Sequence, residues 1–125
     1  MNNGNIISRP MLGVPFLNHY GIVVDADNGI IADFGSRGKR VVSICEFMAN
    51  RSSFELHNSN MLYCEPDEIL NRFEKVKSGP FTLYWNNCAD FMKHFGRQDL
   101  YHKELKKLVL IGLVVIFVII GWRTM

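Results

Sequence analysis

The C-terminal end of the chain constrains the fold most, because it carries an uncharged apolar run from Leu108 to Trp122. The run reads LVLIGLVVIFVIIGW and lies between Lys107 and Arg123. As a helix, its 15 residues would rise about 22 Å, which is short of the roughly 30 Å hydrocarbon core of a bilayer. Snorkelling lysines, an interfacial Trp122 and local thinning can make up the difference. We therefore predict a transmembrane helix at 108–122, because a segment that is apolar on every side has little to pack against in so small a domain.

The flanks of this run predict on which side of the membrane the rest of the chain lies. Lys103, Lys106 and Lys107 precede the run, whereas Arg123 follows it, and positive charge favours the cytosolic side. The residues from Met1 to Asn5 carry no basic segment of the kind that starts a secretory signal. We therefore expect a cytosolic domain that a single-pass C-terminal anchor holds on a phospholipid membrane.

The length and composition leave room for one domain and exclude several classes of partner. Of the 125 residues, about a hundred remain outside the apolar run, which is enough for one hydrophobic core. We assign residues 1–100 to this domain and residues 101–107 to a charged linker. A net charge of +2 lacks the basic excess of a nucleic-acid-binding protein. Three cysteines without a C-x-x-C pair suggest neither a disulfide framework nor a zinc site, so we expect no metal and no cofactor.

Residue patterning predicts an α+β domain with an antiparallel sheet. The predicted elements are strands at 20–24, 29–34, 40–44 and 54–57, a turn or short helix at 45–49, and helices at 66–77 and 88–95. The pair Asn28-Gly29 is typical of a tight hairpin turn between the first two strands. Asn86-Asn87 resembles a helix cap, and Gly96 marks the end of the helix that follows.

Cys88 and His19 are the candidate catalytic residues. The predicted helix places Cys88 in its first turn, where backbone N–H groups and the helix dipole favour the thiolate. A cysteine that only packs in the core would explain Cys88 equally well, so a partner base is needed to decide. Histidine is the usual partner, and His19 begins the first strong strand, beside a loop. His94 lies nearly opposite Cys88 around the predicted helix and His102 lies in the linker, so we expect both to be solvated.

These residues resemble two motifs of the lecithin:retinol acyltransferase-like (LRAT-like) family of phospholipases and acyltransferases. The stretch His19-Tyr20-Gly21-Ile22-Val23-Val24 is similar to the family's H-box, and Asn86-Asn87-Cys88-Ala89-Asp90-Phe91 is similar to its NC motif. The match runs in order over most of the region from Pro10 to Gly96, and a membrane helix after the NC motif is similar to the family's layout. The resemblance implies a circularly permuted papain-like α+β fold, in which an antiparallel sheet packs against the helix that bears the cysteine.

The resemblance also implies covalent thiol chemistry on the acyl esters of phospholipids. Cys88 would attack the ester carbonyl with His19 as its base, and the acyl-enzyme would pass its acyl group to water, an amine or an alcohol. Backbone N–H groups at the start of the Cys88 helix would stabilise the oxyanion. The predicted function is therefore that of a membrane-anchored cysteine phospholipase A or acyltransferase.

The family's second, orienting histidine has no counterpart here, because Ala32 occupies the matching position. Asp33 is one residue further on and would orient His19, as a carboxylate does in many catalytic triads, if the register or a bulge brings it to the same face. A solvated acid beside a turn is an equally good interpretation of Asp33. His57 is a further candidate for the orienting role.

Two other functional classes remain open. Related folds include peptidases and amidases that use the same thiol chemistry, although no export signal precedes the domain, which disfavours enzymes that cut cell-wall peptides. The non-enzymatic alternative is a tail-anchored membrane-remodelling or interaction protein that kept the fold and lost the orienting residue. The sequence leaves the acyl donor, the acceptor and any partner protein open.

Overall fold

The computed structural model describes residues 1–11, 13, 16–35, 38–77 and 84–124, with the side chains at 84–87, 114–118 and 122–124 outside the description. The described elements are strands β1 (Ile6–Pro10), β2 (Asn18–Asp25), β3 (Ile30–Gly35), β4 (Gly38–Ser43) and β5 (Glu55–His57), and helices α1 (Ile44–Met48), α2 (Pro66–Glu74), α3 (Tyr84–His94) and α4 (Gln98–Thr124). The strands form one antiparallel sheet in the order β4-β3-β2-β1-β5. The described part of the chain is therefore α+β, with an antiparallel sheet as predicted.

The hairpin of β2 and β3 sets the register on which the candidate site depends. Its turn contains Gly29, which has a φ of +64° that glycine adopts without the usual steric cost. Across the hairpin, Gly21 lies opposite Asp33 and Ile22 lies opposite Ala32. Because side chains alternate between the faces of a sheet, the two pairs project in opposite directions.

Each face of the sheet is covered by different helices. We call one the main-core face: its strand residues pack with α2 and α3 in the larger apolar cluster, which includes Ile6, Tyr20, Ile22, Val24, Ala32, Phe73, Cys88 and Phe91. We call the opposite one the α1 face: Ile7, Val23, Ile31 and Val42 pack there around Phe47 of α1. Any residue of β2 therefore faces either the main core or α1, according to its parity along the strand.

A buried carboxylate holds the first turns of α4 against the main-core face. Glu104 is 1% exposed and accepts hydrogen bonds from the Tyr20 hydroxyl at 2.8 Å, from Asn18 Nδ2 at 3.1 Å and from Lys107 Nζ at 3.0 Å. Burial raises the pKa of Tyr20, and the adjacent Glu104 raises it further. The first half of α4 is thus tied to β2 by polar contacts that a charged linker would not make.

The predicted transmembrane helix is wrong. Within the part of the chain that the structure describes, no helix is both long enough and apolar enough to cross a membrane. Residues 108–122 belong instead to α4, which also contains the predicted linker, 101–107, and whose first turns carry the buried residues Leu100 and Glu104. The apolar run supplies 15 residues, whereas a membrane span needs about 20. The predicted fold class is corrected by removing its transmembrane helix, and the predicted localisation by a single-pass C-terminal anchor is wrong for the same reason.

The helix that bears Cys88 also differs from its predicted form. It begins at Tyr84 and ends at His94, so Cys88 is its fifth residue and not its first. The predicted end is close to the observed one, because Gly96 adopts a φ of +72° beyond which the helix does not continue. Cys88 therefore lies one turn beyond the position where a helix N-terminus acts most strongly on a thiol.

Candidate functional site

His19 and Asp33 lie together on the α1 face of the sheet. His19 shares this face with Gly21 and Val23, because side chains alternate along β2. Gly21 is the direct neighbour of Asp33 across the β2–β3 hairpin, so Asp33 projects from the same face as His19. The Nε2 atom of His19 lies 2.7 Å from Oδ2 of Asp33. The register alone thus brings the carboxylate to the imidazole, which is the arrangement that an orienting role for Asp33 requires.

Asp33 is held in its charged form. Its side chain is 0% exposed, and burial alone would raise its pKa. Hydrogen bonds from His19 and Arg40, together with their positive charges, act in the opposite direction and lower the pKa of Asp33 below its ordinary value. Arg40 donates from Nε to Oδ1 at 2.6 Å and from Nη2 to Oδ2 at 3.0 Å. Asp33 is therefore a carboxylate at neutral pH and can hold the His19 ring in one orientation.

Two glycines make room for this cluster. A Cβ at Gly21 would lie 3.0 Å from the ring of Phe47, so glycine allows that ring to pack directly on the β2 backbone. A Cβ at Gly35 would lie 2.9 Å from Cδ of Arg40. The Arg40 side chain passes over Gly35 to reach Asp33, and a larger residue at position 35 would obstruct it.

Phe47 of α1 packs against the His19 ring. The two ring centroids are 5.4 Å apart and the planes are inclined by 29°, which is a stacked arrangement. The guanidinium carbon of Arg9 lies 5.6 Å from the same Phe47 centroid, and Arg9 is directly opposite His19 in the ladder of β1 and β2. The side chain of His19 keeps 15% of its exposure, so the imidazole is held in place while part of it still meets solvent.

The hydrogen bond to Asp33 determines which nitrogen of His19 is basic. A carboxylate only accepts, so we assign the proton of the neutral ring to Nε2, which leaves a lone pair on Nδ1. Within the described ranges, Nδ1 of His19 has no hydrogen-bond partner. His19 and Asp33 therefore correspond to the base and the orienting acid of a catalytic triad. In serine proteases the aspartate contacts Nδ1 of the histidine, whereas here it contacts Nε2.

The structure does not bring Cys88 to His19. Cys88 is buried in the main-core cluster with Tyr20 and Ile22, and it carries a thiol. Tyr20 directly follows His19 along β2, so alternation turns these two side chains to opposite faces. The sheet lies between the sulfur and the imidazole, and the predicted dyad is not assembled.

The other positions considered for the orienting role also face away from His19. His57 lies opposite Ile6 across β1 and β5, and its Nε2 is 3.2 Å from the hydroxyl oxygen of Ser8. Burial lowers the pKa of His57 below its ordinary value. Ala32 is part of the main-core cluster, so a histidine at that position would project away from His19.

The sequence patterns do not identify three residues of the site, namely Arg9, Arg40 and Phe47. Arg40 lies directly opposite Asp33 in the ladder of β3 and β4, so opposite charges on two predicted neighbouring strands were the available signal. That signal depends on the register, which the sequence does not supply. Arg9 and Phe47 come from elements whose positions depend on tertiary packing.

Across the residues described, no group of three or more His, Cys, Asp or Glu side chains is placed to hold a metal ion. No family model matches the chain, and no solved structure matches it.

One curated protein is similar to this chain over most of the length of this chain. It is a methylthioribose-1-phosphate isomerase of Podospora anserina, with 27% identity over 120 residues. The match covers 87% of this chain and 30% of the isomerase. The chain thus spans less than a third of the length of that relative.

Proposed function

We propose that this chain is an enzyme that hydrolyses carboxylic esters or transfers their acyl group, with His19 as its general base. The observation that carries the proposal is the 2.7 Å hydrogen bond between His19 and the fully buried Asp33. A base of this kind needs a fixed ring, a defined tautomer and a nearby charge that stabilises the imidazolium. Asp33 supplies the last two, and packing against Phe47 supports the first.

The reaction balances with water as the attacking group. Nδ1 of His19 takes a proton from water while the water oxygen bonds to the carbonyl carbon of the ester. The bond between this carbon and the alcohol oxygen then breaks, and the imidazolium gives its proton to the leaving alkoxide. The products are a carboxylic acid and an alcohol. With an alcohol or an amine in place of water, the same steps transfer the acyl group, and Asp33 stabilises the imidazolium throughout without taking its proton.

Cys88 has a packing role in this mechanism. The LRAT-like resemblance implies an acyl-enzyme on its sulfur, which requires the sulfur within hydrogen-bond reach of the base. Cys88 belongs instead to the main-core cluster, on the face opposite His19. The same resemblance supports His19 as the base and phospholipid acyl esters as the first substrates to test.

The test compares the full-length protein with His19→Gln and Cys88→Ser on p-nitrophenyl butyrate and on phosphatidylcholine in detergent micelles. We expect kcat/KM to fall at least about 100-fold in His19→Gln, because general-base catalysis typically contributes this much. We expect less than about a threefold change in Cys88→Ser, because a packing residue acts only through small shifts of the fold. Intact-mass measurement during turnover should show no acyl adduct.

His102→Gln is the matched control, since His102 is exposed on α4 and should keep the parent activity. Loss of activity in Cys88→Ser, together with an acyl adduct on Cys88, would establish the thiol route in place of the one proposed. An equal loss in His102→Gln would show that the effect is not specific to His19. If the parent hydrolyses neither ester faster than buffer, the proposal fails.

A second candidate reaction is the isomerisation of a sugar phosphate, which the similarity to methylthioribose-1-phosphate isomerase favours. Such a reaction also needs a base that removes a proton and returns it, and His19 is the residue that would serve. Proton NMR of methylthioribose 1-phosphate with the parent protein and with His19→Gln distinguishes it from ester hydrolysis. Isomer resonances that grow with the parent alone would support this candidate, and an unchanged spectrum would remove it.

A further inference from the structure

Arg9 carries a buried positive charge beside His19. The two residues are direct neighbours across β1 and β2, and Arg9 is 6% exposed. Its Nε donates to the backbone oxygen of Phe47, and its Nη1 donates to the backbone oxygen of Pro10 at 2.9 Å. Both acceptors are uncharged, so these hydrogen bonds orient the guanidinium without neutralising it.

Arg51 adds a second cation to the same region. It follows α1 and donates from Nη2 to the backbone oxygen of Met11 at 3.4 Å. Its Nε is buried and has no hydrogen-bond partner among the residues that the structure describes. A buried donor in this state is rare in folded proteins and calls for a partner.

Positive charge exceeds negative charge around Arg9. Burial lowers the pKa of Arg9, the charge of Asp33 raises it, and the charges of Arg40 and Arg51 lower it again, with a net lowering. Asp33 is already bonded by both of its oxygens to His19 and Arg40. Buried charges are normally compensated by an opposite charge. The acid that acts on Arg9 is Asp33, so Arg9 shares one negative charge with Arg40.

An acid on α1 does not remove this imbalance. Glu46 of α1 raises the pKa of Arg40, where it acts on a guanidinium that Asp33 already contacts.

We propose that Arg9 and Arg51 form a binding site for a phosphate group on the α1 face, beside His19. Guanidinium groups match the geometry of phosphate oxygens and bind them with strong, charge-assisted hydrogen bonds. A phosphate monoester carries a charge of about −1.5 to −2 at pH 7, which balances two arginines. The buried Nε of Arg51 supplies a donor that has no acceptor among the described residues.

The site also indicates a class of substrates for His19, namely esters that carry a phosphate group. This assignment rests on the proposed function, whereas phosphate binding itself does not. The phosphate group can belong to a lipid head group or to a small phosphate ester, since both present negatively charged, non-bridging oxygens to the arginines.

The experiment follows the arginine Nε–H signals of the full-length protein by NMR during titration with inorganic phosphate, against a sodium chloride titration of equal ionic strength. We expect saturable shifts for Arg9 and Arg51 with phosphate and not with chloride. Arg51→Gln should weaken binding at least about fivefold, as the loss of one charge-assisted hydrogen bond does. Arg97→Gln is the matched control, because Arg97 pairs with Asp99 on the surface, and it should leave the affinity unchanged.

Two further arms identify the source of the phosphate group. Glycerol 3-phosphate tests small esters, and vesicles of phosphatidylglycerol, compared with vesicles of a neutral glycolipid, test lipid head groups; specific binding in either arm supports the site. Shifts that do not saturate, or an equal loss in Arg97→Gln, would overturn it. If phosphate binds and no ester is hydrolysed, the proposed function fails while the site stands. If His19-dependent hydrolysis is found without phosphate binding, the site fails while the function stands.

Discussion

The substitution Asp33→Asn probes the buried pair most sharply, because it removes the charge and keeps the shape. Asparagine retains one acceptor oxygen, but it carries no negative charge and replaces the other acceptor oxygen with an NH2 group that only donates. A hydrogen bond to a charged group contributes about 1.5–3 kcal/mol. The Arg40 side chain is 39% exposed and can return to water, so its share is small. The His19 side chain is 15% exposed and cannot compensate in this way, so we expect the free energy of unfolding to fall by about 2–3 kcal/mol at pH 7.

The lowered pKa of Asp33 predicts how this loss of stability depends on pH. The pKa of Asp33 in the folded protein lies below its ordinary value of 3.8. Its stabilising contribution is therefore complete above pH 3.8 and is lost as the pH falls through the folded-state pKa. The part of the difference between parent and Asp33→Asn that comes from this charge should persist from neutral pH down to pH 3.8 and shrink at lower pH.

Urea unfolding followed by circular dichroism, at pH 7 and at a series of lower pH values, measures this difference. Asp99→Asn is the matched control, since Asp99 pairs with Arg97 at the surface, and it should change the free energy of unfolding by less than about 0.5 kcal/mol. A loss for Asp33→Asn no larger than that of the control, or one that does not change with pH, would refute the reasoning.

Other substitutions test the packing around the site. Tyr20→Phe removes one donor from the buried Glu104 and should lower the free energy of unfolding by about 1–2 kcal/mol; an unchanged urea midpoint would mean that this bond contributes nothing net. Gly21→Ala places a Cβ 3.0 Å from the Phe47 ring and should cost about 1–3 kcal/mol by overpacking, which thermal unfolding would show as a lower Tm, whereas an equal or higher Tm would argue against close packing there. Phe73→Ala empties a fully buried position of the main core and should cost about 3–5 kcal/mol in urea unfolding, so a loss below 1 kcal/mol would contradict the assignment of that core.

Local signals account for the parts of the fold that were predicted. The hairpin depends on Asn28-Gly29, whose turn preference is a property of two adjacent residues. Pro66 opens α2 as predicted, because proline at the first helical position loses no hydrogen bond. β1, by contrast, has no prediction, since Ile6–Pro10 is buried on both faces for most of its length and so lacks the alternation that identifies an edge or half-exposed strand.

The candidate site shows how far patterning extends. The position of His19 at a strand start makes it a candidate, whereas Asp33 fits two interpretations because its face depends on the register. The register of the hairpin, Gly21 opposite Asp33, decides between them. The face on which the Cys88 helix packs is likewise a tertiary property, and it is this face, rather than the strand assignment, that separates Cys88 from His19.

The C-terminal run shows the limit of an argument from composition. A stretch without charge from Leu108 to Trp122 suggests a membrane helix, but its length falls below the usual span. The preceding turns of the same helix carry Glu104, whose bonds to Tyr20 and Asn18 fix them to the sheet. Those long-range hydrogen bonds connect residues more than 80 positions apart in the chain and have no local signature.

Determining the tautomer of the neutral His19 ring is the most direct test of the central claim, because the proposed base depends on one tautomer. A long-range proton–nitrogen NMR spectrum of the neutral ring distinguishes the nitrogen that carries a hydrogen from the one that carries a lone pair. The 2.7 Å contact of Nε2 with Asp33 predicts a proton on Nε2, a lone pair on Nδ1, and a mixture of the two tautomers in Asp33→Asn. A proton on Nδ1 in the parent protein would leave no basic nitrogen facing away from Asp33, and it would contradict the account.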